Sequence, residues 1–188
     1  IFIIPLKKSP SEIYLGNSGT SARLLTGLLS SQNFNTTLIG DKSLSKRPMD
    51  RIIEPLKQMG ISIASNEGYL PIIIPASNIR GISYSLPVPS AQIKSCIILA
   101  ALGSTGKSKI IENIKSRDHT EIILKELGAD IKNDQVISIS PLNNPLKSFD
   151  ITVPGDPSSA SFFAAAAAMI PNSDLTIKNL LANPTRIG

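Results

Sequence analysis

The sequence is poor in cysteine, tryptophan and aromatic residues in general. It has one cysteine and no tryptophan among 188 residues, and only 4% of them are aromatic. A single cysteine excludes an internal disulfide and a zinc site made of cysteines. Cys96 stands in the apolar run SCIILAAL, so we expect a buried small hydrophobic residue in a reducing, cytoplasmic compartment. With 41% hydrophobic residues, the core must be aliphatic, which favours helices packed on sheets.

Long apolar runs and basic runs with interleaved aromatics are also missing. The longest apolar candidate, FFAAAAAMI, falls well short of the about 18 residues that span a membrane. The net charge of +5 comes without the basic and aromatic pattern that binds nucleic acid. We therefore expect no membrane and no nucleic acid as partner, whereas a site for small anions stays open.

Signals for proton-transfer chemistry and for metals are absent from the sequence as well. No paired-carboxylate motif and no metal-ligand spacing is present. The only histidine is His119, and the sequence contains no serine or cysteine nucleophile motif that it could activate. We expect His119 to be a polar residue at a helix start, and we expect no metal, no cofactor and no catalytic acid or base in this chain.

What the sequence does contain is a repeat of about seventy residues. Helical and strand-like periodicities alternate, and Gly60 and Gly128 are 68 positions apart, as are Ser90 and Ser158. The first copy predicts helices at 18–31 and 47–60, strands at 35–41 and 61–65, and a pair of strands at 69–75 and 81–88. The second predicts helices at 90–104 and 117–128 and strands at 107–114, 129–134 and 136–141. We interpret this as a repeated supersecondary unit with helices inside and sheets outside.

The two ends of the chain interrupt this pattern. A strand-like segment, IFIIPL, occupies 1–6, and a third copy that begins at 158–170 stops soon after. We therefore expect an internal fragment of a longer protein.

Each copy begins its first helix with small polar residues, in GNSGTS, PSAQ and GDPSS. Serine, asparagine and aspartate are good N-caps, but a cap needs only one of them. A helix N-terminus also attracts phosphate or carboxylate, and Gly16 and Gly19 would allow close approach to the backbone. These starts predict the floor of an anion site.

Two arginines occupy matching places before the second helix of each copy, Arg47 in LSKRPMD and Arg117 in KSRDHTE. The guanidinium fork suits phosphate and carboxylate, so both could converge on one ligand. The alternative is a set of surface ion pairs, of Arg47 with Asp50 and of Arg117 with Asp118 or Glu121, which would contribute little. Spacing alone leaves both possibilities open.

Six blocks taken in order resemble a known family: LGNSGTSARLL, GDKSLSKRPMDRIIEPLKQMG, PSAQIKSCIILAAL, SRDHTEIILKELGADI, VPGDPSSASFFAAAA and DLTIKNLLANPTRIG. They are similar to the 5-enolpyruvylshikimate-3-phosphate (EPSP) synthases, and SAQ with SRDHTE resembles the bacterial class II form. The resemblance implies an α/β (α+β) fold of repeated βαβαββ units, the inside-out α/β barrel of the enolpyruvyl transferases, in a two-domain enzyme. It places 1–153 in one domain and 154–188 at the start of the other.

The resemblance implies a substrate site on these helix starts. Ser90, Ala91 and Gln92 match the segment that holds shikimate 3-phosphate, and Arg117, with Ser116 beside it, matches the group on its phosphate.

For phosphoenolpyruvate, the resemblance implies binding by Arg47, with Gln92 reaching both ligands. The backbone of Gly19 would lie against this substrate, where the absence of a side chain implies sensitivity to the inhibitor glyphosate. The resemblance also implies that Asn17, Thr20 and Arg23 support the loop around Gly19.

The family transfers the enolpyruvyl group of phosphoenolpyruvate to the 5-hydroxyl of shikimate 3-phosphate, and its members are usually monomeric. Its acid and base groups would lie before residue 1 and after residue 188, so we expect no turnover by this chain alone. Two alternatives stay open, a non-catalytic anion-binding fragment and the related UDP-N-acetylglucosamine enolpyruvyl transferase.

Overall fold

The computed structural model describes residues 12–185. The strand expected at 1–6 lies outside them. The chain divides into two compact units after Lys147, a few residues before the predicted domain boundary at 153, and the assignment of 154–188 to a second domain stays a prediction. None of the helices in the described range is long and apolar enough to cross a membrane.

The first unit contains two successive copies of a βαβαββ motif. The first copy comprises β1 (Glu12–Tyr14), α1 (Gly19–Leu29), β2 (Thr36–Ile39), α2 (Asp50–Gln58), β3 (Ala64–Asn66) and β4 (Tyr69–Ile74). The second comprises β5 (Ser83–Ser85), α3 (Ala91–Ala101), β6 (Ser108–Ile111), α4 (His119–Glu126), β7 (Ile131–Asn133) and β8 (Val136–Ile139). A 3-10 turn at Leu44–Lys46 precedes α2. The predicted helices are confirmed, and several strands are shorter than expected.

The two copies build sheets of the same topology. The strand orders are β1-β2-β4-β3 and β5-β6-β8-β7. In each sheet the first pair is parallel and the other two pairs are antiparallel. This agreement of order and direction confirms the repeat that the sequence predicts.

The expectation that strands 69–75 and 81–88 pair with each other is wrong. Strand β4 pairs with β2 and β3, whereas β5 pairs with β6 in the other sheet. Strand β5 opens the second repeat, so its partner is the parallel strand that follows α3. Alternating hydrophobicity identifies a strand but not its neighbour.

Glycines end the second helix of each copy, as the sequence predicts. Gly60 and Gly128 follow α2 and α4 with φ angles of +99° and +97°. These left-handed conformations are strained for a residue with a side chain and open to glycine. Both helices therefore stop at corresponding places.

The helices lie inside and the sheets outside. In β4, Leu70, Ile72 and Ile74 are buried while Tyr69 and Ile73 are exposed, so one face of the sheet covers the core. Helix α3 is buried on nearly all sides and contacts α1, α2 and α4. The predicted arrangement of helices and sheets is confirmed.

Helices α1 and α3 cross at very short range, which sets the spacing of their N-terminal ends. A Cβ placed on Gly27 of α1 would lie 2.1 Å from the carbonyl oxygen of Cys96 in α3. Only glycine fits at this crossing. The start of α1 is thereby held close to the start of α3.

The second unit contains α5 (Pro157–Met169), whose N-cap Asp156 accepts hydrogen bonds from the backbone of Ser158 and Ser159. None of the α5 residues is buried, and Phe162 is 78% exposed. The helix matches the third copy expected at 158–170, with the exposed apolar surface that a truncated unit would show.

Candidate functional site

A cleft of about 200 Å³ lies at the N-terminal ends of α1, α3 and α4. Its lining comes from both repeats: Thr20, Leu24, Ala91, Gln92, Ser95, Arg117, His119 and Thr120. Helix N-termini carry unpaired N–H groups and partial positive charge. Segments that are far apart in the sequence thus form one wall suited to an anion.

The start of α1 is capped by a single hydroxyl, that of Ser18. Its Oγ accepts a hydrogen bond from the backbone N–H of Ser21 and donates to the Ser21 hydroxyl. Gly16, just before it, has a φ angle of +55°, which suits the tight turn into the helix. Capping therefore accounts for one of the small polar residues of this segment and leaves the others for a second role.

Arg23 donates hydrogen bonds to three separate segments around the cleft. Its Nη1 donates to the carbonyl of Gly19 and to Oε1 of Gln92, at 3.1 Å each, and its Nη2 donates to the carbonyl of Pro48, also at 3.1 Å. Each contact lies on a different segment: α1, α3 and the loop before α2. Arg23 therefore links these three segments, and its role as support of a ligand-binding loop stays a prediction.

Arg47 lies beside Arg23, against Gly19. The Nη2 of Arg47 donates to Oδ1 of Asn17. A Cβ on Gly19 would lie 2.8 Å from Nη1 of Arg23 and 3.1 Å from Nη1 of Arg47. The sequence suggested a glycine that leaves room for a ligand, whereas here the two guanidinium groups themselves fill that space. Glycine is what lets both of them approach the α1 backbone.

The surroundings of these arginines are cationic. Burial lowers the pKa of Arg23, and the nearby charges of Arg47 and Arg51 lower it further. Asp50 does not pair with Arg47, because its carboxylate packs against Gly68. The ion pairs found within residues 12–185 all involve Lys94, so the surface ion pairs considered as an alternative for Arg47 and Arg117 do not form there. Within the described residues, the charges of Arg47 and Arg117 therefore have no carboxylate partner.

The start of α3 contributes Ser90, Ala91 and Gln92. Ser90 is the N-cap and accepts from the backbone N–H of Ile93 at 3.4 Å, while Ala91 and Gln92 line the cleft. The amide Nε2 of Gln92 donates to the hydroxyl of Thr20 at 2.8 Å. Gln92 is therefore fixed from both sides by residues of α1.

The start of α4 brings Arg117 to the same cleft. Arg117 is exposed and makes no hydrogen bond or ion pair with residues 12–185. Ser116, just before it, donates its hydroxyl proton to Oε1 of Glu112 at 2.6 Å. His119 is the first residue of α4, as predicted, and lines the cleft with its Nε2 buried and unpaired within the described range.

A buried charged cluster under the cleft is the main feature that the sequence reasoning missed. Lys94 is fully buried, and its Nζ lies 2.9 Å from Oε2 of Glu112 and 2.7 Å from Oε1 of Glu121. Burial raises the pKa of Glu121, and the Lys94 ammonium opposes that rise. The signal available in the sequence was a lysine inside the otherwise apolar helix IKSCIILAAL.

Ser95 and Thr120 were also missed. Their hydroxyls are 2.6 Å apart and join α3 to α4 at the cleft lining. Ser95 lies one helical turn after Gln92, which places both on one face of α3. That spacing could have identified Ser95.

Residues 4–188 match the family model of EPSP synthase (3-phosphoshikimate 1-carboxyvinyltransferase). The chain belongs to the EPSP synthase family. Members of this family are transferases, and the resemblance stated from the motifs is confirmed. The chain is 51% identical over 185 residues to the 3-phosphoshikimate 1-carboxyvinyltransferase of Helicobacter pylori strain P12, covering 96% of this chain. It is 48% identical over 187 residues to the corresponding protein of Thermodesulfovibrio yellowstonii.

Solved EPSP synthase structures agree with the fold. An EPSP synthase of Acinetobacter baumannii superposes with a TM-score of 0.82 and 42% identity over 95% of this chain and 41% of that one. A second structure, determined at 2.37 Å for the same organism, gives a TM-score of 0.78 and 45% identity over 86% of this chain and 37% of that one. The α/β fold class is confirmed. The chain spans 43% of the length of its Helicobacter pylori relative.

Proposed function

We propose that this chain forms the part of a 3-phosphoshikimate 1-carboxyvinyltransferase that binds shikimate 3-phosphate and contacts phosphoenolpyruvate. The whole enzyme would transfer the enolpyruvyl group to the 5-hydroxyl of shikimate 3-phosphate and release phosphate. The observation that carries the proposal is the cleft where three helix N-termini meet beside Arg23, Arg47 and Arg117, none of which has a carboxylate partner within residues 12–185.

The phosphate of shikimate 3-phosphate would bind at Arg117 and the start of α3. Arg117 offers a free guanidinium fork, which suits two phosphate oxygens. The Ser90 oxygen accepts the capping bond, so its proton remains available for donation to the ligand. Ala91 adds no bulk between the phosphate and the helix N-terminus, and Ser116 stays beside Arg117 as part of its backbone support.

Phosphoenolpyruvate would bind on the α1 side of the cleft. Arg47, held by Asn17 and packed on Gly19, supplies a guanidinium for its carboxylate or phosphate. Gln92 lies between the two halves and contacts both Arg23 and Thr20, so it would be within reach of either ligand. Fixed dipoles and guanidinium groups would replace the water that solvates these anions.

Four further expectations belong to this proposal. Glyphosate, an anion of similar size, would compete with phosphoenolpyruvate for Arg47, which approaches the α1 backbone because Gly19 carries no side chain. The protein would act in the cytoplasm, where its lone buried thiol needs no partner, and as a monomer. Its acid and base groups would come from segments outside this chain.

Calorimetric titration of the 188-residue chain with shikimate 3-phosphate tests the proposal. Arg117→Ala should raise the Kd about tenfold to a hundredfold, since a charge-assisted hydrogen bond contributes about 1.5–3 kcal/mol. Arg80→Ala is the matched control, because Arg80 is exposed and its side chain makes one hydrogen bond within residues 12–185, a long one of 3.4 Å to the carbonyl of Gln58. Shikimate without its phosphate should bind far more weakly. Equal binding of both ligands, or no effect of Arg117→Ala, would overturn the proposal.

A phosphate-release assay tests the expectation that the catalytic acid and base lie outside this chain. The chain mixed with both substrates should release no phosphate, because the acid and base groups are expected elsewhere. Turnover by the chain alone would show that proton-transfer groups lie within it.

The related UDP-N-acetylglucosamine enolpyruvyl transferases would be expected to carry a cysteine in a mobile loop. Cys96 is instead buried in the middle of α3, which disfavours this alternative.

A further inference from the structure

The buried cluster of Lys94, Glu112 and Glu121 lies directly under the segment that carries Arg117. Besides its two ion pairs, the Lys94 ammonium donates to the carbonyl of Ser116 at 3.3 Å. Glu112 accepts at Oε1 from both the backbone N–H of Ser116, at 3.2 Å, and its hydroxyl, at 2.6 Å. Ser116 is therefore held by both of its backbone polar groups and by its side chain.

This cluster is not needed to build the fold, because the first repeat packs without it. The starts of α1 and α3 align Ala22 with Lys94, and the ends of β2 and β6 align Gly40 with Glu112. The glycines that end α2 and α4 align Ile53 with Glu121. All three counterparts are uncharged, and Ala22 and Ile53 are buried in the core. The same supersecondary unit thus forms with apolar residues in these places.

Stability alone is also a poor reason for the cluster. Taking a lysine and two carboxylates out of water is costly, and well-packed apolar residues commonly do as well or better at such positions. Burial is nearly complete for Lys94 and Glu121, whose side chains are 1% and 2% exposed. What the charges add is direction, since two hydrogen bonds fix the carbonyl and the N–H of Ser116 and a third fixes its hydroxyl.

The fixed backbone matters for Arg117 because, within the described part of the chain, no hydrogen bond or ion pair orients its side chain. Ser116 precedes Arg117 directly, and Lys94 lies on the same helix as Ser90 and Gln92. We propose that Glu112 and Lys94 form a positioning pair that locks the backbone at Ser116 and so holds the Arg117 guanidinium opposite the start of α3, where the ligand phosphate binds. This inference rests on the proposed function and assigns the cluster a role in ligand affinity.

A double-mutant cycle on the Kd for shikimate 3-phosphate tests the inference in the 188-residue chain. Glu112→Gln is the primary variant, because an amide has one acceptor oxygen and cannot serve both Lys94 and Ser116. It should raise the Kd about tenfold, an effect within the usual range of coupled neighbours. In the Arg117→Ala background the same change should alter the Kd by less than about twofold, because the guanidinium that it positions is gone.

Two controls distinguish a loss of Arg117 positioning from a general loss of stability. Glu126→Gln removes the same charge at an exposed place on α4 and should leave the Kd unchanged. Thermal unfolding without ligand measures any loss of stability separately. If Glu112→Gln does not fold, Glu112→Asp replaces it in the same experiment with the same criteria. The aspartate keeps the negative charge beside Lys94 but is too short to reach both Lys94 and Ser116.

The outcomes distinguish the two proposals. If Arg117→Ala weakens binding while the Glu112 variant does not, or if the Glu112 variant weakens binding equally in both backgrounds, the positioning role is overturned and the proposed function stands. If the unmodified chain does not bind shikimate 3-phosphate, both are overturned. A Glu112 effect that disappears in the Arg117→Ala background supports the inference.

Discussion

The Arg23 guanidinium donates a hydrogen bond of 3.1 Å from Nη1 to Oε1 of Gln92, although 69 positions separate the two residues in the chain. The other end of the Gln92 amide donates to Thr20. Because an amide held at both ends has one orientation, the first repeat fixes the polar group that the second repeat presents to the cleft. The two helix starts therefore act as one surface.

Replacing Arg23 with methionine should loosen this surface. Arg23→Met keeps much of the apolar stem but leaves the acceptors on Gly19, Gln92 and Pro48 without their donor. We expect a loss of about 2 kcal/mol in the free energy of unfolding, measured by urea denaturation. Arg80→Met, at an exposed residue whose side chain makes a single long hydrogen bond within the described residues, should change it by less than about 0.5 kcal/mol. Equal stability of the two variants would contradict the supporting role of Arg23.

A methyl group at residue 19 should affect ligand binding more than stability. The Cβ in Gly19→Ala would press on the guanidinium groups of Arg23 and Arg47, at 2.8 and 3.1 Å. Displacement of Arg47 should raise the Kd for phosphoenolpyruvate about tenfold, since one charge-assisted hydrogen bond is weakened. The measurement is a calorimetric titration. Gly106→Ala is the control, because its Cβ would meet nothing closer than the backbone N of Gly81 at 3.8 Å; equal affinity in the two variants would argue against this account.

The free energy of unfolding should depend on pH through the ionisation of Glu121. Burial raises the pKa of this carboxyl, so the folded chain holds the proton more tightly than the unfolded chain. Its contribution to stability is therefore full at low pH and is lost as the pH rises from the ordinary range of a glutamate through the raised pKa. Glu121→Gln cannot ionise, so its unfolding free energy relative to the unmodified chain should increase with pH over that interval.

Urea denaturation of both proteins between about pH 4 and pH 8 gives this difference; the interval begins near the ordinary glutamate pKa of about 4.3. Glu126→Gln, which removes an exposed carboxylate on the same helix, should show no such trend. A difference for Glu121→Gln that is constant or falls with pH would refute the assignment.

Cys96 should be chemically inert in the folded chain. It is fully buried, and burial raises the pKa of its thiol to about 12. At pH 8 only about one thiol in ten thousand would be ionised, and the thiolate is the reactive form. Alkylation by iodoacetamide, followed by mass spectrometry, should be at least about a thousandfold slower than in the urea-unfolded chain. Rapid complete labelling without denaturant would place the cysteine in an accessible loop instead.

The sequence was sufficient for the repeat and for the helices of the fold. Glycines such as Gly60 and Gly128 mark helix ends through a backbone conformation that other residues avoid, and that constraint is local. The sequence did not predict which strands pair with each other. The periodicity around Tyr84 of β5 suits pairing with several strands, and its pairing with β6 depends on the tertiary fold.

The sequence predicted residues that line the cleft but not the buried charged cluster beneath it. Helix-start chemistry and the family motifs indicated Gln92 and Arg117, and both line the cleft. Lys94 escaped notice because a buried helix position normally takes an apolar residue. Its partner Glu112 lies 18 positions away in the chain. Such a partnership depends on the tertiary fold and leaves no local pattern.

Amide chemical-shift mapping of shikimate 3-phosphate on the 188-residue chain tests the central claim most directly, that the starts of α1, α3 and α4 form one anion site. We predict saturable shifts at Thr20, Gln92 and Arg117 that follow a single Kd, with no comparable change along α2. Shifts confined to one of the three helix starts, or different affinities at each of them, would contradict a single site.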